Sequence, residues 1–420
     1  LKVFIYLIID FKVKNVKFRR KIMIKDFNDK KFATKTIHGG DYDNEFGSLG
    51  IPIYQTSTFI FKDADEGARR FALEEDGFIY SRLGNPTNQA VEKKLALLEK
   101  AEAAVSFSSG MGAITSSIWP FIKAGNHILA CKTLYGCTFA FLNEIKKFDI
   151  DVEFIDMTDI NNVKNSIKDN TRIVYLETPA NPTLDVIDIK AISEIAKSNS
   201  KDTMVITDNT FATPYLQNPL ELGADIVVHS ATKYLNGHGD VVAGFSAGSA
   251  ELMKEVRLVG QKDFTGSVLS PNDAFMIYRG MKTLGIRMEK HISNAKEIVD
   301  FLVDHPKVKK VNYPGLEDFV NHEVAKEQMN DYGAMISFEV EGGLEAGKTI
   351  MNNVKLCSLA VSLGDAETLI EHPASMTHST YSPEDLKEAG IDPGLVRLSP
   401  GLEDAEDIIK DLKQAIDKIK

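Results

Sequence analysis

The sequence predicts an α/β protein: a doubly wound, mostly parallel sheet followed by a smaller α+β domain. Three observations carry this. Short β-branched runs recur at 152–155, 173–176, 204–207, 226–228 and 241–245, with stretches of helical period between several of them, as when helices cross over a parallel sheet. After about residue 280 the alternation gives way to longer helices and isolated strands. The 420 residues, 43% hydrophobic and 26% charged, have the composition of an ordinary globular chain of two or three domains.

Taken in order, residues 1–22 read as an extension outside the fold. The first 31 residues hold ten Lys or Arg against three Asp, and Met23 follows a basic run at 17–21. The apolar run at 3–9 is too short to span a bilayer and lacks a small-residue cleavage site. Residues 23–85 read as an arm; from 38 onward they are rich in Gly, Pro, Thr and Asn with little periodicity, so the segment must pack on something else. Residues 86–280 form the large sheet domain and 281–420 the smaller one. In the latter we expect a helix at 287–303, a strand at 334–340 and a helix from Glu345. A final amphipathic helix carries Ile408, Ile409, Leu412, Ile416 and Ile419 on one stripe.

A net charge of −11 is a poor balance for gripping a polyphosphate backbone, so nucleic acid is not an expected partner, and no segment calls for a membrane. Three cysteines, Cys131, Cys137 and Cys357, form neither an even set nor a CxxC pair. We therefore expect no disulfide framework and no metal site, and a reducing cytoplasm.

Three motifs compete for the function. Residues 342–349, GGLEAGKT, satisfy the P-loop pattern between a strand and a helix, but the best acidic strand end for magnesium, at Asp208, lies upstream in a different layer. Residues 244–248, GFSAG, give a GxSxG at the end of a strand, as in a serine hydrolase. Such an elbow should be followed by further parallel strands bearing Asp and His, and here helices follow.

The third candidate is a set whose members agree with one another. The Ser108-Ser109-Gly110-Met111-Gly112 turn opens a helix near Ala113, so its free N–H groups and the helix dipole form a phosphate cradle. Asp208 closes an apolar strand, a position suited to holding a cationic ring nitrogen. Lys233 follows another apolar strand ending in small hydroxyl residues, Ser230 and Thr232. Partly desolvated there, its amine has a depressed pKa and can form a Schiff base with an aldehyde. Each feature alone is an ordinary cap or strand end. Together they match what pyridoxal 5′-phosphate requires, and Tyr135 adds an aromatic face and a phenol.

With these residues in view, the chain from about Phe32 to its end resembles the Cys/Met-metabolism family of pyridoxal-phosphate enzymes. The resemblance runs through YSR at Tyr80 with GNPT at Gly84, SSGMGA at Ser108, YGCT at Tyr135, ETPANP at Glu177, DNTFATP at Asp208, HSATKY at His229 and RLSPGLED at Arg397. It implies the type I, aspartate aminotransferase-like fold. It also implies a homotetramer of two tight dimers with active sites shared across each dimer, which would explain the arm.

By this resemblance Lys233 carries the cofactor and Asp208 pairs with its ring nitrogen. Gly110, Met111, Ser230 and Thr232 bind its phosphate from within the subunit, and Tyr80 and Arg82 reach it from the neighbour. Tyr135 stacks on the ring and donates a proton to the leaving sulfur. Arg397 clamps the substrate carboxylate, as a planar bidentate guanidinium suits, and Ser362 and Asn181 assist in binding. Cys137 bears on the reaction. Members that act on methionine carry a cysteine after the Tyr-Gly pair, where those cleaving cystathionine carry glycine; Lys262-Asp263 points the same way. The implied reaction is α,γ-elimination of L-methionine to methanethiol, 2-oxobutanoate and ammonia. Sibling reactions on cystathionine, homocysteine or O-acetylhomoserine use the same carbanion chemistry. Asp365 stands where relatives carry a small residue, close to Ser362.

Overall fold

A computed structural model of the chain describes residues 27–420 apart from 41–43, 45, 378, 380, 381, 383, 385 and 387–389. The extension expected at 1–22 lies outside the described residues.

Seven strands form the first sheet: β1 (Ala103–Phe107), β2 (His127–Cys131), β3 (Asp151–Ile155), β4 (Thr171–Glu177), β5 (Met204–Asp208), β6 (Ile226–Ser230) and β7 (Gly244–Gly248). Their order is β1-β7-β6-β5-β4-β2-β3. Only β7 runs against the others, pairing antiparallel with both β1 and β6. The sheet is thus mostly parallel, as the alternation of strand and helix predicts. Two strands carry no β-branched run long enough to announce them: β1 reads AAVSF and β2 HILAC. The final strand lies at Gly244–Gly248, displaced from the expected 241–245.

Side-chain caps start several of the helices that flank this sheet. Asn85 accepts from Thr87 N at the head of Pro86–Glu99, whose first residue is a proline that needs no amide donor, and Lys100 closes the helix in the left-handed region. Asp188 caps Ile189–Asn199 in the same manner. Ser109 caps Gly110–Ile118, which begins three residues earlier than expected.

The second sheet has five strands in the order β10-β11-β12-β9-β8: β8 (Val308–Asn312), β9 (Ile336–Val340), β10 (Ser358–Leu359), β11 (Leu369–Glu371) and β12 (Leu395–Ser399). The helices Leu284–Val303, Gly343–Met351 and Ala405–Ile416 accompany it. Ile408, Leu412 and Ile416 are wholly buried, and Ile419 is buried just beyond the helix end. Phe338, also wholly buried, adds on the order of 2 kcal/mol of burial free energy.

A single apolar cluster joins the two sheets. It runs from Phe245 and Ala247 on β7, through Met281, Leu284 and Met288, to Phe338, Val396 and Ile408. A second cluster fills the space between the parallel strands and their helices, with Ile128, Val174, Ile206 and Val228 among its members.

The arm is less featureless than its composition suggests. The helix Ala64–Phe71 forms within it, capped by Asp63, and Thr58 bridges to Tyr80. Phe46, Leu49, Ile60, Phe71 and Leu73 of the arm stand exposed. A groove of about 1050 Å³ runs between the arm and β1.

Candidate active site

A cavity of about 260 Å³ lies beyond the C-terminal ends of the parallel strands, where an open α/β sheet offers its crevice. Ser109, Gly110, Met111, Tyr135, Glu177, Asn181, Asp208, Ser230, Thr232, Lys233 and Arg397 all face it. Three segments far apart in sequence therefore converge as the third motif set requires.

The cradle forms where the head of the helix Gly110–Ile118 meets the end of β6. Ser109 Oγ takes the N–H of Gly112, and the N–H groups of Gly110 and Met111 find no acceptor among the described residues. A Cβ on Gly110 would sit 3.0 Å from Ser230 Cβ, and one on Gly244 would sit 2.2 Å from Ser109 O. Small residues are what let these strand and helix ends close on one another. The Thr232 hydroxyl exchanges hydrogen bonds with the backbone of Ala243, at 3.0 and 3.3 Å.

Asp208 ends β5 and is buried. Its Oδ1 accepts both the N–H and the hydroxyl of Thr210, at 3.0 and 2.5 Å, which leaves Oδ2 to the cavity. Burial raises its pKa, opposed by the Thr210 hydrogen bonds and by His229. Behind it His229 Nε2 meets Glu99 Oε1 at 2.5 Å, both side chains fully buried.

Lys233 lies three residues past β6 and donates to Ser362 Oγ at 2.9 Å. Burial pulls its pKa down to about 8, with Arg397 adding to the effect while Glu371 and Asp365 oppose it. An appreciable neutral fraction exists near pH 7, and this is the form that attacks a carbonyl. Across the cavity, Arg397 on β12 donates from Nη1 to Asn181 Oδ1 at 2.7 Å and from Nη2 to Ser362 O at 3.0 Å. Glu371, its directly facing partner on β11, lies 3.0 Å from the same Nη1. Nε–H and one Nη2–H of the guanidinium remain without a protein partner among the described residues, enough to bind a carboxylate.

Tyr135 opens the helix Gly136–Glu144. Its backbone N–H donates to Glu177 Oε2 at 2.8 Å, and Cys137 Sγ donates to its hydroxyl at 3.4 Å. The contact with Cys137, reinforced by burial, raises the Tyr135 pKa to about 12, so the phenol keeps its proton at neutral pH. Cys137 is exposed and stands at the rim, outside the residues that face the cavity.

Tyr80 and Arg82 do not join this cavity within the chain. Arg82 donates to Lys262 O at 2.8 Å, and its guanidinium carbon lies 5.9 Å from the centroid of the Tyr80 ring. Lys262 pairs with its neighbour Asp263. Asp365 sits beside Gly239, and burial raises its pKa. Three residues to which the sequence assigns no role, Glu177, Thr210 and Glu371, hold the site together. Glu177 and Thr210 lie within quoted motifs, and the signal available for Glu371 was a carboxylate closing an apolar strand.

Neither rival motif forms its site. Ser246 is wholly buried in the middle of β7 and bonded to Ser117 Oγ at 2.6 Å, with no strand-to-helix elbow to expose it. In the P-loop-like stretch the helix begins at Gly343. Lys348 is already in its second turn, paired with Glu345 on the outer face, and Thr349 bonds back to Glu345 O. No loop remains to enclose a phosphate.

The family described as Cys/Met metabolism PLP-dependent enzyme matches residues 33–417. An L-methionine gamma-lyase of Fusobacterium nucleatum subsp. polymorphum is 61% identical over 388 residues, covering 92% of this chain and 98% of its own. That of Treponema denticola is also 61% identical, over 389 residues, with 92% and 97% covered. Among solved structures, a putative O-acetylhomoserine (thiol)-lyase from Campylobacter jejuni carries N′-pyridoxyl-lysine-5′-monophosphate. It superposes with a TM-score of 0.88 at 33% identity, covering 92% of this chain and all of that one.

Proposed function

Because the chain belongs to the Cys/Met-metabolism family of pyridoxal-phosphate-dependent enzymes, we propose that it eliminates methanethiol from L-methionine, leaving 2-oxobutanoate and ammonia. The observation that carries this is the convergence on one cavity of a lysine with depressed pKa, a buried strand-end aspartate and a buried arginine. The relatives named as L-methionine gamma-lyases direct the choice of substrate.

The residues fit the cofactor. The free N–H groups of Gly110 and Met111 with the Ser230 hydroxyl suit a phosphate, Asp208 Oδ2 suits a pyridinium N–H, and Lys233 suits the aldehyde. Bound there, pyridoxal 5′-phosphate supplies an electron sink for negative charge developing at the α-carbon of the amino acid.

The chain's own groups do the rest. Arg397 binds the substrate carboxylate through the N–H groups left over from Asn181, Glu371 and Ser362. Lys233 Nζ moves the α-proton and then takes one from the β-carbon, whose electron pair drives the sulfur off the γ-carbon, and the Ser362 hydroxyl, 2.9 Å away, holds that amine on the substrate's side of the cavity. The Tyr135 phenol, protonated at neutral pH, donates to the departing methanethiolate sulfur, the Cys137 thiol steadies the phenolic oxygen, and water hydrolyses the released enamine to 2-oxobutanoate and ammonia.

The same reading takes the chain as a homotetramer in which Tyr80 and Arg82 complete the neighbour's site. The exposed apolar side chains of the arm, and the failure of Tyr80 and Arg82 to face their own cavity, support it. A cytoplasmic location is supported by three free thiols. Among the described residues no helix is long and apolar enough to cross a membrane.

The test is to incubate the protein loaded with pyridoxal 5′-phosphate with L-methionine and measure methanethiol and 2-oxobutanoate together. Both products in equal amounts are expected. Turnover of cystathionine or O-acetylhomoserine with none of methionine would assign the chain to a sibling reaction.

A further inference from the structure

We infer that Glu177 is a positioning residue that locks the ring of Tyr135 and the amide of Asn181 at a fixed spacing, and through Asn181 the guanidinium of Arg397. The inference rests on the roles given above to those three residues. Glu177 closes β4, is buried, and stands in register beside Asp208 on β5. Its two carboxylate oxygens serve two different segments. Oε2 accepts from the N–H of Tyr135, in the connection that follows β2, and Oε1 accepts from the N–H of Asn181, in the connection that follows β4, at 2.8 and 3.2 Å. Asn181 Oδ1 then accepts from Arg397 Nη1 at 2.7 Å. One side chain therefore ties the proton donor for the leaving group to the clamp for the substrate carboxylate.

Chemistry explains why a glutamate is needed. Burial and the neighbouring Asp208 both act against a negative charge here and raise the Glu177 pKa, while the two backbone donors and Arg397 favour the ionised form. An apolar side chain would avoid that conflict but leave two part-buried N–H groups without acceptors. Glutamine offers one oxygen and sets an NH2 against the second backbone N–H. Aspartate is one methylene too short to span both. β4 itself is paired on both edges and buried along most of its length, so the strand does not depend on this side chain.

The experiment uses Glu177→Gln as holoenzyme and two probes. L-norleucine has the shape of methionine without a sulfur to expel, and its binding is followed by the visible absorption of the cofactor; L-methionine turnover is measured in parallel. The dissociation constant for L-norleucine should rise about tenfold and kcat/KM fall by at least about tenfold, with melting temperature and cofactor retention those of the parent. An L-norleucine affinity within about twofold of the parent overturns the inference, and so does a joint loss of cofactor and melting temperature, which marks a purely structural role. Combined with Asn181→Ala, the double variant should lose about as much as the worse single one, because both break the same chain; additive losses also overturn it. If Glu177→Gln does not fold, Glu177→Asp takes its place with the same expectations, and failure of both to fold counts against the inference. A parent enzyme that binds L-norleucine yet releases no methanethiol would reject the reaction while leaving the Glu177 measurement intact.

Discussion

Glu371 and Arg397 face each other across the β11–β12 pair, and Glu371 Oε1 lies 3.0 Å from Arg397 Nη1 while Oε2 finds no partner among the described residues. The arginine is thus held and partly neutralised before any ligand arrives, by a neighbour that cross-strand register delivers without a loop. A guanidinium fixed in this manner recognises a carboxylate by geometry as well as by charge.

Arg397→Lys should therefore cost far more than a conserved charge implies. The ammonium cannot serve Asn181, Glu371, Ser362 O and a substrate carboxylate together, so kcat/KM for L-methionine should fall about a hundredfold, chiefly through KM, with the cofactor spectrum retained. Steady-state kinetics decide, and an unchanged KM would place the carboxylate elsewhere.

The depressed pKa of Lys233 makes cofactor capture pH-dependent with a definite sign. Attack on the aldehyde needs the neutral amine, which is the minor form below about 8. The rate at which apoprotein takes up pyridoxal 5′-phosphate should rise roughly tenfold from pH 6 to 7 and level off above the lysine's pKa. Stopped-flow absorbance would show this; a flat profile would mean that the lysine is already neutral throughout. Lys233→Ala should abolish both turnover and covalent attachment of the cofactor, and normal turnover in that variant would refute the assignment.

Cys137 donates to the Tyr135 hydroxyl and is not among the residues that line the cavity. Cys137→Gly removes that hydrogen bond and frees the phenol to move. Elimination from methionine should fall more than elimination from cystathionine, measured side by side on one preparation. Equal losses would make the thiol a bystander.

Ser246→Ala tests the discarded hydrolase motif. The hydroxyl is buried against Ser117, so its removal should leave kcat unchanged and cost about 1–3 kcal/mol in urea-induced unfolding, from a Ser117 oxygen left without its partner. A folded variant without activity would revive the nucleophile.

Much of this was legible in the sequence for a physical reason. β4, β5 and β6 are buried on both faces and read as apolar runs; the polar residues that end or succeed such strands interrupt the apolar pattern, and there Asp208, Ser230 and Lys233 stand out. β1 and β2 were not legible, because Ala, Ser, His and Cys carry little strand preference and tertiary packing supplies the difference. Cys137, a catalytic position by its motif, lies at the rim, since one-dimensional spacing cannot give depth. Glu177 sat in plain view in ETPANP, but its partners are 42 residues back and four ahead, and only the fold reveals that both are backbone amides.

The apolar cluster that continues from β7 into the C-terminal sheet has a consequence for recombining this chain with its relatives. A crossover placed near residue 280 would divide one interior between two parents, separating Phe245 and Ala247 from Met288 and Phe338. Chimaeras that trade substrate preference by exchanging the C-terminal third must therefore carry matched interior residues on both sides of the junction, or accept voids and clashes in the fabric that aligns Arg397 with Lys233.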